Sequence, residues 1–273
     1  MVSDISNPVN LDTWKLNIAP ITGRYPKLEL QKNNQNYIVK FAAYRQNGQE
    51  VPYHVSEYIS SKIITSLGYS AHEVFMAELK GRHGCLIKVF AEELTTFGGF
   101  GSSTLTSENL PYDLDLLHEL SREDKFTADF EMYLWDTFCV DAFIINLDRH
   151  PNNWGFFKRD GIYYPAPLFD NASSLYSLNA FDLGKMENLE DYIRKFSKSM
   201  VQYQGERYSF EYILQTQNNS ILQQRLAIFK QRLGQLNLDC IKKMEKEWQE
   251  YQPYLDFVKR LIERQVNYFE TQL

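Results

Sequence analysis

The sequence predicts an α+β protein of two lobes, a small β-rich N-terminal lobe holding one helix and a larger, mostly helical C-terminal lobe. Three observations carry this reading. Alternation of apolar and polar side chains is concentrated in the first 90 residues, helical spacing dominates from residue 114, and a stretch with neither pattern lies between them.

The elements follow in chain order. Lys27–Leu30 and Gln35–Phe41 alternate on either side of the polar turn Lys32-Asn33-Asn34, a hairpin signal. Val55–Leu67 sets Tyr58, Ile59, Ile63, Ile64 and Leu67 at helical spacing and stops at Gly68, a residue suited to a helix end. Glu73–Leu79 and Gly84–Phe90, parted by Lys80-Gly81-Arg82-His83, predict a second hairpin. The segment Leu94–Asp113 is rich in Gly, Ser and Thr and reads as a connector, with Gly98-Gly99-Phe100-Gly101 part of it rather than a phosphate loop, because no helix opens there. Helical patterns then occupy Leu114–Leu120, Ala128–Ile145, Ile221–Leu233, Asp239–Tyr251 and, after a break at Pro253, Leu255–Phe269. The apolar run Ile162–Phe169 is the strand-like element of this half. The expected division is an N-lobe over 1–93, a connector over 94–113 and a C-lobe over 114–273. The stripe Tyr254, Phe257, Leu261 and Tyr268 reads as core or partner surface.

Composition bounds the function. At 273 residues the chain buries enough surface to fold without metals or disulfides. Its 44% hydrophobic and 23% charged content is that of an ordinary soluble domain, with a high aromatic fraction of 15%. A net charge of -6, from 29 basic and 35 acidic residues, gives no general field for nucleic acid. Cys85, Cys139 and Cys240 lack metal-ligand spacing and suit reduced, buried thiols in a cytoplasmic protein. No basic and apolar leader and no run of 18 uninterrupted apolar residues argues for secretion or for a membrane span.

The densest chemistry lies in Asn146-Leu147-Asp148-Arg149-His150-Pro151-Asn152-Asn153, a loop following the long apolar helix. Pro167-Leu168-Phe169-Asp170-Asn171 then brings a second carboxylate after a short apolar strand. A carboxylate, an amide and another carboxylate in this order suit phosphoryl transfer: one acid orients the attacking hydroxyl, while the amide oxygen and the other acid hold Mg²⁺ against nucleotide phosphates. Lys40, inside an apolar strand, needs a partner, and Glu57 on the next helix faces inward with Ile64. A strand lysine paired with a helix glutamate is the arrangement kinases use to position phosphates.

With ITGRYPKLEL and YIVKF in the small lobe, VSEYISSKIITSLGY on its helix, and AFIINLDRHPNNWGFF with APLFDNASSL in the large lobe, the sequence resembles the HipA-like serine/threonine kinases, distant relatives of the eukaryotic protein kinases. The resemblance implies a bilobal protein-kinase-like fold, with ATP and Mg²⁺ as cofactors. It implies Asp148 as catalytic base, Asn153 and Asp170 as Mg²⁺ ligands, and Lys40 as the phosphate lysine set by Glu57. His150 matches the family's Asp-x-His loop, and a role holding the loop's backbone is preferred to proton transfer. Thr22 and Gly23 fall in the phosphate-covering loop, where Thr22 is the candidate for autophosphorylation. A protein substrate with Ser or Thr and a cognate antitoxin are the partners implied.

Taken alone, Asp148 and Asn153 also suit a turn after a helix, and Lys40 suits a strand lysine reaching solvent; the ordered set favours the active site. His54, His72, His83 and His118 read as incidental. Two further readings stand beside the protein kinase: a phosphoinositide or small-molecule kinase, favoured by the string DRHPNN, and a pseudokinase binding module, favoured by a loop with a single glycine.

Overall fold

The computed structural model describes residues 8–17, 27–99, 113–120, 122–178 and 188–273. Thr22 and Gly23 lie outside them. Short edge strands β1 (Val9–Asn10) and β2 (Lys15–Asn17) precede the first hairpin, β3 (Lys27–Lys32) and β4 (Gln35–Phe41). Alternation sends Leu30, Tyr37, Val39 and Phe41 into a small outer apolar cluster, and it leaves Ile38 and Lys40 on the opposite, inner face. The turn is two residues long, because Asn33 and Asn34 both accept the left-handed backbone at φ 51° and 61°.

A tiny hairpin, β5 (Ala43–Tyr44) and β6 (Glu50–Val51), leads into α1 (Tyr53–Ser66). The second large hairpin joins β7 (Val74–Leu79) to β8 (Arg82–Lys88). Its turn is tighter than the sequence predicts: Lys80 and Gly81 take φ 50° and 73°, so Arg82 and His83 belong to the strand. The six strands order as β1-β7-β8-β4-β3-β2, with β1 parallel to β7 and the other pairs antiparallel. Helix α1 crosses the inner face and is buried along most of its length, between the sheet on one side and helical segments on the other.

The C-lobe is built on α3 (Phe130–Ile144), which follows α2 (Leu114–Leu120) and is apolar on nearly every face because other elements enclose it. A three-stranded sheet lies beside it, ordered β11 (Ile162–Pro165), β10 (Gly155–Arg159) and β9 (Leu94–Thr96). The segment read as a connector therefore begins with a strand paired to the C-lobe. At Gly155 a Cβ would lie 2.3 Å from the Thr95 carbonyl oxygen, so only glycine permits this pairing. Strand β10 shows no alternation in sequence because Gly155, Phe156 and Phe157 are all buried.

Two short helices, α4 (Leu189–Phe196) and α5 (Phe210–Thr216), escape the sequence reading, since α4 buries only Ile193 and α5 spans barely two turns. Next come α6 (Ser220–Leu233), packed along α3, and α7 (Asp239–Glu247), which gives way to a tight turn at Gln249–Tyr251. The last helix, α8 (Gln252–Thr271), carries Pro253 in its first turn rather than starting after a break there, because a first-turn proline lacks only an N–H that would be unpaired anyway. Tyr254, Phe257, Leu261 and Tyr268 face the core, and buried Gln265 donates to the Ala142 carbonyl at 2.8 Å, tying α8 to the end of α3.

Candidate active site

Lys40 is the upper anchor. Its ammonium lies 2.6 Å from Glu57 Oε2 and 2.7 Å from Asp170 Oδ1, joining β4, α1 and the Phe169-Asp170-Asn171 loop. Burial alone would lower the lysine pKa, but Glu57 and Asp170 outweigh it and raise it, so the charge is kept. Burial would likewise raise Glu57, whereas Lys40 and His72 hold it well below the carboxylate range. Glu57 Oε1 pairs with His72 Nε2 at 2.9 Å and accepts the Asn171 N–H at 2.7 Å. His72 is thus a buried partner of the site, not incidental. Nothing local in the sequence marks it, because the pairing depends on how β7 is joined to α1.

Behind this pair the lobes are joined through the backbone. The His72 N–H donates to Leu168 O, and the Leu168 N–H to Ser70 O, each at 2.9 Å. The chain thus reaches Asp170 on a fixed path, and Asp170 itself turns at φ 54°, in the left-handed region that aspartate tolerates. Lys27, opposite Lys40 in the β3–β4 register, is a second cation here. Burial, then the neighbouring Lys40 charge, lowers its pKa, against an opposing pull from Asp170.

The lower half starts where α3 ends. Ile145, buried and β-branched, is held at φ 50°, which breaks the helix and throws the chain into the 146–153 loop. Asn146 accepts the Asp148 N–H at 3.2 Å, and the Asp148 carbonyl accepts both His150 N–H at 2.8 Å and Asn153 Nδ2 at 2.7 Å. The Asp148 backbone is therefore pinned from both sides. His150 Nδ1 accepts the Asn152 N–H at 3.2 Å, a contact that holds the loop. The Gly98 N–H donates to Pro151 O at 2.9 Å, so the glycine segment after β9 braces the same loop.

Beneath it lies a buried cluster that the sequence signalled only through a lone acid, Asp141, in the apolar run of α3. Arg149 donates from Nε and Nη2 to the Asp141 carboxylate, from Nη1 to Asn153 O at 2.7 Å and Phe169 O at 2.5 Å, and from Nη2 to Asn171 Oδ1 at 2.6 Å. Asp141 also accepts Asn146 Nδ2 at 3.1 Å. Burial pushes the Asp141 carboxyl up, against the pull of Arg149.

The structure therefore brings Lys40, Glu57 and Asp170 into contact and links Asp148, His150 and Asn153 in one loop bonded to the Asp170 segment through Arg149. The sequence agrees with a known family: residues 19–248 match the HipA-like C-terminal domain. The chain belongs to this family. It is 27% identical over 223 residues to the serine/threonine-protein kinase CtkA of Helicobacter pylori, spanning 74% of this chain and 68% of that protein. A crystal structure of the H. pylori proinflammatory kinase CtkA superposes with a TM-score of 0.79 at 22% identity, covering 94% of each chain. HipA of Shewanella oneidensis, solved with HipB and operator DNA, gives a TM-score of 0.48 at 14% identity, over 92% of this chain and 65% of that one. By family and fold, this is a serine/threonine protein kinase with an N-terminal sheet and a helical C-lobe.

Proposed function

We propose that this chain moves the terminal phosphoryl group of ATP to a serine or threonine hydroxyl of a protein, with Asp148 as base, Asn153 and Asp170 as Mg²⁺ ligands, and Lys40, set by Glu57, on the phosphates. The observation that supports it best is the Lys40 ammonium held between Glu57 and Asp170, at the meeting of strand, helix and metal-binding loop. The donors suit the metal. Asn153 spends its Nδ2 on Asp148 O, which leaves the amide oxygen to face a cation, and the Asp170 side chain is 44% exposed. Hard oxygen donors with room for phosphate oxygens and water are what Mg²⁺ requires. When bound, the ion would neutralise charge on the phosphates.

The residues of the chain do the rest. Lys40 has a third N–H to offer a phosphate oxygen, and Glu57 keeps the ammonium aimed. The fixed Asp148 backbone presents a carboxylate to accept the hydroxyl proton as the new bond forms. Phe90 lies edge-on to Phe157 and near Phe169, an apolar wall beside Asp170 that suits a purine ring.

Arg149 does not support the lipid-kinase reading, since its side chain is 3% exposed and its donors are directed to the protein interior. Two finer elements of the proposal, a cognate antitoxin and phosphate on Thr22, rest on the family resemblance. Co-purification from the native host tests the first, and mass spectrometry after incubation with Mg²⁺-ATP tests the second. The proposal also places the enzyme in the cytoplasm, supported by three buried, free cysteines; among the described residues no helix is long and apolar enough to cross a membrane.

The deciding experiment incubates the protein with labelled ATP, Mg²⁺ and cell extract, beside Asp148→Asn. The parent labels proteins on serine or threonine, and the variant is slower by roughly 10²–10⁴-fold, the usual contribution of a general base. Transfer to a phosphoinositide but not to protein, or equal rates in parent and variant, overturns the assignment.

A further inference from the structure

Arg149 lies inside the protein, and its position between the two loops gives it a role that its burial alone does not require. A single nitrogen, Nη1, donates to the carbonyl of Asn153 at 2.7 Å and to the carbonyl of Phe169 at 2.5 Å. One of those carbonyls belongs to a proposed metal ligand, and the other immediately precedes the second, Asp170. Nη2 reaches Asn171 Oδ1 at 2.6 Å, so Asp170 is held on both sides by the same guanidinium. The remaining donors rest on Asp141, whose carboxylate balances the charge and, through Asn146, continues to the Asp148 N–H.

We propose that Arg149 is a positioning residue that sets the separation of Asn153 and Asp170, and with it the grip of the site on a divalent cation. The inference rests on the metal-ligand reading above. A planar guanidinium places its donors at fixed angles, so two carbonyls from chain segments 16 residues apart in sequence (169 − 153) are tied to one rigid group. A lysine ammonium would keep the charge opposite Asp141 but offers three N–H groups from one point and cannot hold both carbonyls, Asn171 and the carboxylate together. Groups that orient metal ligands from behind commonly change metal affinity by about 10–100-fold when replaced.

The test measures ATP binding by calorimetry with and without Mg²⁺ in the parent, Arg149→Lys and Asp170→Asn, with far-UV circular dichroism and a melting curve for each. Arg149→Lys is expected to stay folded and to bind metal-free ATP within about twofold of the parent. The gain in affinity that Mg²⁺ confers should fall by roughly tenfold or more. Should Arg149→Lys fail to fold, the double variant Asp141→Leu with Arg149→Met removes both buried charges together, a change buried pairs often tolerate. It is expected to show the same lost Mg²⁺ gain. Loss of metal-free and metal-dependent binding in equal measure means Arg149 only maintains the fold, and overturns the inference. So does an unchanged Mg²⁺ gain in a variant lacking Arg149 while Asp170→Asn loses it. If Asp170→Asn itself keeps the gain, the metal-ligand reading fails, and this inference with it.

Discussion

Lys40–Glu57 and Arg149–Asp141 are both buried cation–carboxylate pairs, yet they end differently. The lysine side chain is 15% exposed and reaches on to Asp170, whose side chain is 44% exposed at the cleft. The arginine and its aspartate are 3% and 4% exposed, and the arginine's donors are directed to carbonyls, an amide and a carboxylate inside the protein. A point charge on a flexible stem can trade one oxygen for another, which suits a group that meets phosphates. A planar fork whose donors are all engaged cannot, and it suits a fixed frame. The chain thus places its adaptable cation where the ligand arrives and its rigid one where the loops must not move.

The largest expected effect tests the frame. Asp141→Ala leaves a buried guanidinium without its counter-charge, and denaturant unfolding should show a loss of about 3–5 kcal/mol. Glu57→Ala should cost less, about 1–3 kcal/mol, because Lys40 keeps Asp170 and has a path to solvent. Equal losses at the two positions would erase the distinction drawn between the pairs.

A smaller effect tests the upper pair in its working role. In a double-mutant cycle on ATP affinity, Lys40→Ala and Glu57→Ala should couple by about 0.5–3 kcal/mol, as expected of groups in one ion pair. Coupling near zero would remove Glu57 from the phosphate grip.

The smallest effect uses a buried titratable group with no ion pair as the control. His54, on α1 between Trp248 and Tyr251, has no hydrogen-bond partner for either ring nitrogen among the described residues. Burial, with a contribution from His83, pushes its pKa down to about 3, from 6.5. Between those values the unfolded chain holds a proton that the folded one does not, so stability falls as pH falls through 6.5 toward 3. The slope from this residue is at most about 1.4 kcal/mol per pH unit. His54→Phe should flatten it, and the test is the difference between parent and variant melting curves from pH about 6.5 to about 5. Glu57, whose pKa is also depressed on folding, has a slope of the same sign in a more acidic window: its contribution is complete above the ordinary carboxylate range and is lost as pH falls below 4.5. Parallel pH profiles for parent and His54→Phe would show that His54 is not held neutral.

Much of the architecture was legible because it is local. The alternation of Gln35–Phe41, the spacing of Val55–Leu67 and the asparagine turn between β3 and β4 are properties of neighbouring residues, and the structure places these elements within a residue or two of the sequence reading. The order Lys40, Glu57, Asp148, Asn153 and Asp170 was likewise visible in the chain, since each stands in a distinctive local setting. Elements without such a setting were missed: β10 is buried on both faces at its start, and α4 buries only Ile193.

What the sequence determined by itself is therefore the two-lobed α+β plan and the inventory of groups suited to phosphoryl transfer. Only the tertiary structure decided which of them meet: that Lys40 touches Asp170 from 130 residues away, that His72 rather than solvent completes Glu57, and that Arg149 faces inward to bind the two loops. The physical reason is that a polar group's role is set by what replaces its water on burial, and those partners come from distant segments that no local pattern records.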